Sequence, residues 1–75
     1  MPTVVILGSI KITVYADDHN PPHFHVLTAD GDVLVRLSTM QVMAGSIRAK
    51  DLRKALEWAT ANRKVIEDVW NRLNG

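Results

Sequence analysis

Two periods of hydrophobicity divide this chain. Up to about residue 45, apolar and polar residues alternate or form short β-branched runs, the spacing of strands. Beyond it, apolar residues recur at steps of three and four, the spacing of helices. "TVVIL" and "IKITVYA" read as two strands joined across Gly8-Ser9, and a glycine at the first loop position suits a type II′ hairpin turn. "HFHVLTA" and "VLVRLS" flank Asp30-Gly31-Asp32, where Asp-Gly is a strong hairpin signal. "MQVMA" predicts a shorter strand before Gly45-Ser46. The expected sheet is an antiparallel meander of four to five short strands.

From Arg48 onward, Leu52, Leu56, Ala59, Ile66, Trp70 and Leu73 trace one apolar stripe, broken by Arg63 beside Asn62. The break predicts one helix with a polar interruption, or two helices meeting near Asn62. Asparagine is a favourable N-cap, which tilts the reading to two. A one-faced sheet needs a cover, and this stripe supplies it. The predicted class is α+β, a single domain over residues 1–75 with the sheet in 1–45 and the helical segment in 46–75.

Strand parity then assigns faces. Ile10, Ile12 and Val14 fall on the core side of the second strand, and Lys11, Thr13 and Tyr15 on the other. Phe24, Val26 and Thr28 point inward on the third, leaving His23, His25 and Leu27 outside. Val33, Val35 and Leu37 point inward on the fourth, leaving Leu34 and Arg36 outside. The helix-free face is thus expected to collect Lys11, Tyr15, His23, His25 and Arg36 beside two leucines. Asn20-Pro21-Pro22 leads the chain onto that face. Each proline fixes φ and pushes the preceding residue toward extended geometry, so the motif is a rigid entry that aims His23.

Composition narrows the chemistry. Hydrophobic residues make up 47% of the 75, enough for a small core. A domain this short buries only about 60% of its unfolded surface, so its stability is marginal and a partner protein is a natural remedy. The chain has no cysteine, hence no disulfide and no thiolate for zinc, which suits a reducing cytoplasm. No apolar run approaches the roughly 20 residues of a membrane span. "MPTVVILGSIKITV" also lacks the basic start of a secretory signal, so a soluble cytoplasmic protein without membrane attachment is expected. The net charge of +1 is divided: Lys11 and Arg36 against Asp17, Asp18, Asp30 and Asp32 leave residues 1–45 at −2, while residues 46–75 stand at +3. Such a basic half meets phosphate or an acidic partner, or simply solvates a helix face.

Three readings of "HNPPHFH" compete. In the first, His23 and His25 move protons at an RNA 2′-hydroxyl, Tyr15 stacks or donates, and Lys11 and Arg36 hold the phosphate. The second makes His19, His23 and His25 metal ligands, completed by Asp17 or Asp18. Two imidazoles on a strand are a short ligand set, so no metal or other cofactor is the expectation. In the third, the histidines bond backbone or lie in a protein contact. The outward Leu27 and Leu34 favour this one. Elsewhere, Asp30-Gly31-Asp32 lacks the remaining ligands of a calcium loop, and no serine or cysteine sits in a nucleophile motif. Trp58 and Trp70 read as core or interface anchors.

These residues carry a family resemblance. "MPTVV", then "DDHNPPHFHV", resembles the domain-of-unknown-function family 4160, whose most specific feature is an acidic or Asn-rich stub followed by Pro-Pro-His-x-His-Val. "LVRLSTMQVMAGSI" is similar to its strand, turn and Gly-Ser-Leu-Pro connection, and "LRKALEWATANRKVIEDVWNRL" to its closing helical segment. Arg48 departs from the family's usual proline. Pro22, His23 and His25 match the motif, with Asn20 and Pro21 as weaker matches. The resemblance supplies no activity. It implies a small bacterial protein encoded beside a domain-of-unknown-function family 2442 protein, a layout like that of toxin–antitoxin pairs. The leading expectation is a partner-binding component of such a module, or a homo-oligomer, with a metal-independent ribonuclease-type toxin as its sharpest form. The alternatives are an antitoxin or regulator binding RNA or DNA through the basic helices, and a metal-binding protein using His23 and His25. Whether the chain is an enzyme is left open.

Overall fold

In the computed structural model, which describes residues 3–16, 18 and 20–75, five strands form one antiparallel sheet and two helices follow. β1 (Thr3–Leu7) turns into β2 (Ile10–Thr13) across Gly8-Ser9. Gly8 takes φ 64° while Ser9 does not have a positive φ, the sign pattern of a type II′ turn. β3 (His23–Thr28), β4 (Gly31–Arg36) and β5 (Val42–Gly45) complete the meander, and the strands lie in chain order. The fold is the α+β arrangement read from the two periodicities.

The second hairpin turns one residue earlier than its Asp-Gly signal suggests. Thr28 pairs with Gly31, so the loop is Ala29-Asp30. The Thr28 hydroxyl fixes it, accepting from the Asp30 N–H at 3.2 Å and donating to the Gly31 carbonyl at 3.0 Å. Gly31 therefore opens β4 instead of forming the turn.

One cluster of buried residues joins the sheet to the helices. Ile10, Ile12, Val14, Phe24, Val26, Val33, Val35 and Leu37 meet Ala55 and Ala59 of α1 (Ala49–Ala61) and Ile66 and Trp70 of α2 (Arg63–Asn74). Cross-strand pairing of Ile12 with Val26, and of Val26 with Val33, keeps the inward set on one face. Ala55 and Ala59, one turn apart, present no more than a methyl group and so let the backbone of α1 lie close on the strands.

The helices separate at Asn62, by a different device from the expected cap. Its side chain makes no N-cap bond to α2; instead Nδ2 donates to the Trp58 carbonyl at 2.9 Å, where its own N–H also donates. Asn62 thus closes α1. Arg63, the polar break in the stripe, turns outward and donates to the Ser38 carbonyl at 2.7 Å. Arg48 precedes α1 at φ −58° and ψ 139°, backbone geometry that a proline also adopts.

Candidate functional site

The register brings the outward residues into rows. Lys11 pairs with Leu27 and Leu27 with Asp32; Thr13 pairs with His25 and His25 with Leu34; His23 pairs with Arg36. The predicted polar face therefore exists, but its members are not equivalent. His23 is only 5% exposed. It stands at the entry to β3, where α2 reaches past the sheet and places Trp70 5.0 Å from it, ring centre to ring centre. His25 is half-buried beside Tyr15, whose ring meets it edge-on at 4.6 Å.

Asp18 joins the two histidines. Its Oδ2 lies 2.8 Å from His23 Nε2 and 3.4 Å from His25 Nε2. The other ring nitrogen of His23, Nδ1, lies 2.8 Å from the Pro21 carbonyl. The proline motif thus does two things: it delivers β3, with the Pro22 carbonyl accepting from Leu37 N–H at 3.0 Å, and it supplies the acceptor that orients His23. The Asn20–Pro21 bond is cis. The end of α2 clamps the same segment, because Asn74 accepts from the Asp18 N–H at 2.8 Å and donates to the Tyr15 carbonyl at 3.0 Å.

Arg36 shares a row with His23, while Lys11 lies four residues further along β3, about 13 Å at the rise of a strand. The two cations therefore stand apart on the face. His19 and Asp17, the other proposed ligands, lie outside the described residues. Beside the cluster, the Thr13 hydroxyl is fully buried and has no hydrogen-bond partner among the described residues.

Asp18 was named in the sequence as one of two acidic residues that could complete a ligand set; its distance of five and seven residues across a proline bend concealed that it, by itself, meets both rings. Trp70 read as a core or interface anchor, and neither it nor Asn74 gave a signal of its contact with this segment, since both come from the far end of the chain. A groove of about 660 Å³ runs along α1 between Leu52, Arg53, Leu56 and Glu57. A smaller cavity of about 150 Å³ lies among Pro22, Leu37, Arg63 and Trp70, on the histidine side of the molecule.

A short antiparallel meander with two helices behind it and a His–Asp cluster pinned by a proline bend defines a small α+β protein built around "HNPPHFH". The chain belongs to the family described as Domain of unknown function (DUF4160), whose model matches residues 9–71 and so includes that motif and most of both helices. No curated protein and no solved structure matches the chain. Among the described residues no helix is long and apolar enough to cross a membrane.

Proposed function

We propose that this chain is a partner-binding protein that docks through the helix-free face of its sheet. The observation that carries the reading is the pair Leu27 and Leu34, which the register sets on that face while every helix-covered position is taken by the core. Ile6, opposite Lys11 and 64% exposed, extends the apolar surface, and Lys11, Asp32 and Arg36 rim it. An apolar centre with a charged rim is the make-up of a protein interface. The occupant that fits is a protein presenting apolar side chains with acidic groups set to meet Lys11 and Arg36. In a bacterial two-gene module of the toxin–antitoxin kind, that occupant is a domain-of-unknown-function family 2442 protein encoded alongside.

Two other readings have less support in the geometry. Metal-independent cleavage of RNA by His23 and His25 needs His23 at the surface and both cations at one phosphate, whereas His23 is enclosed and Lys11 stands apart from Arg36. Nucleic-acid binding by the helices would draw on seven basic residues, three of which already face acidic partners. Arg48 pairs with Asp30 at 2.9 Å, Arg63 with Glu67 at 3.7 Å and Lys64 with Asp68 at 2.9 Å.

The test is size-exclusion chromatography of the chain with and without the neighbouring gene product. A joint peak is expected, and Leu34→Arg should abolish it with the circular dichroism unchanged. Two independent monomers, or a complex indifferent to Leu34→Arg, would refute the reading.

A further inference from the structure

We propose that Asp18, His23 and His25 form a binding site for one divalent transition-metal ion of the zinc class. The site adjoins the docking face, since His25 pairs with Leu34, but the proposal does not rest on the docking reading. Three donor atoms converge: Asp18 Oδ2, His23 Nε2 and His25 Nε2 all lie within 4.8 Å of one another, the two contacts to the carboxylate being 2.8 and 3.4 Å. Ligands held at about 2.0–2.2 Å from a common ion stand roughly 3 to 3.6 Å apart. The Asp18–His25 contact of 3.4 Å falls in that range, and the Asp18–His23 contact of 2.8 Å has to open slightly to admit an ion. The donor set of two imidazoles and one carboxylate is that of zinc or iron(II) sites that keep open positions for water or substrate. It is too rich in nitrogen for calcium or magnesium, which take oxygen.

The surroundings are those of a metal site as well. A ligating histidine characteristically donates its other ring N–H to a carbonyl, which fixes the tautomer and aims the lone pair. His23 does this, with Nδ1 against the Pro21 carbonyl. That leaves His23 Nε2 as the coordinating nitrogen, and it faces an Asp18 carboxylate oxygen 2.8 Å away. An independent observation lies directly across the ladder from His25, where the enclosed Thr13 hydroxyl has no partner among the described residues. Water bound to the ion would supply one. The ligands are also held in advance, by Trp70 against His23, Tyr15 against His25 and Asn74 on the Asp18 backbone. Rigid support of this kind is what a ligand set requires.

The experiment uses the untagged full chain, stripped with chelator and titrated with zinc chloride by calorimetry, and with cobalt(II) by visible absorption. One zinc per chain is expected, together with a cobalt d–d spectrum of nitrogen and oxygen ligands and a rise in melting temperature. Asp18→Asn and His25→Gln, which leave the enclosed His23 in place, should each weaken zinc binding by at least about 100-fold while keeping the native circular dichroism. His23→Gln should do the same. If that variant fails to fold, the cobalt spectrum of the native chain still reports whether imidazole is bound. Absence of saturable binding overturns the proposal, as does weak multi-site binding that Asp18→Asn and His25→Gln leave unchanged. Partner docking is read separately through Leu34→Arg.

Discussion

At the scale of single residues, backbone placement decides more than side-chain chemistry. Gly45 closes β5 at φ 82°, and a Cβ added there would overlap the Asp32 carbonyl oxygen and stand 3.1 Å from Val33 Cα. Both atoms are backbone of β4, so neither yields without moving the ladder. Gly45→Ala therefore combines a left-handed conformation, costing about 1–3 kcal/mol, with a steric overlap. Urea unfolding of this variant should show a loss of at least about 2 kcal/mol, and an unchanged midpoint would show that β5 relaxes freely. The glycine itself was legible as a turn residue in the sequence, but its neighbour across the ladder was not. Met40 was less legible still: it takes φ 59° in the turn between β4 and β5, a conformation for which turn chemistry favours glycine or asparagine.

At the scale of elements, the strands and helices followed from periodicity, while their joints depended on contacts that periodicity does not carry. Parity assigned the inward residues Ile10 and Ile12 of β2, Phe24 and Val26 of β3, and Val33 and Val35 of β4, because a strand has only two faces. It also set His23 on the outer face, and the ladder with Arg36 agrees. Parity has no means of saying that a later helix reaches round the end of the sheet and encloses that ring. The edge strands show a related limit. Both outer pairings carry a register shift, between Thr3 and Val5 in β1 and beside Leu34 and Val35 in the β4–β5 pair, and such bulges discourage pairing with another sheet. Asn62 gives a test of how a joint works. As an N-cap, aspartate serves as well as asparagine. As the group that donates to the Trp58 carbonyl, asparagine has an NH₂ that aspartate lacks. Asn62→Asp should therefore cost about 1 kcal/mol in chemical denaturation. A neutral or stabilised variant would restore the capping role.

For the whole molecule, one hydrophobic cluster has to hold two layers together. A 75-residue domain is expected to have a stability on the order of 4–11 kcal/mol, so a single buried side chain weighs heavily. Ile66 is the position at which to measure this. It is fully buried in the first turn of α2, belongs to the shared core and lies on the same helix that supplies Trp70 and Asn74 to the histidine cluster. Loss of packing there should loosen the helix, and with it the clamp on Asp18. Ile66→Val removes one methylene group and should cost about 1 kcal/mol, lowering the melting temperature by roughly 4–8 °C. Ile66→Ala should cost about 2–5 kcal/mol, a large part of the total. If fold and cluster share one cooperative unit, the His23 and His25 ring signals in NMR should lose their folded positions at the same temperature as the helical dichroism in both variants. If the ring signals collapse tens of degrees earlier, the His–Asp cluster is a separately melting cap on the core, and its geometry owes little to Ile66.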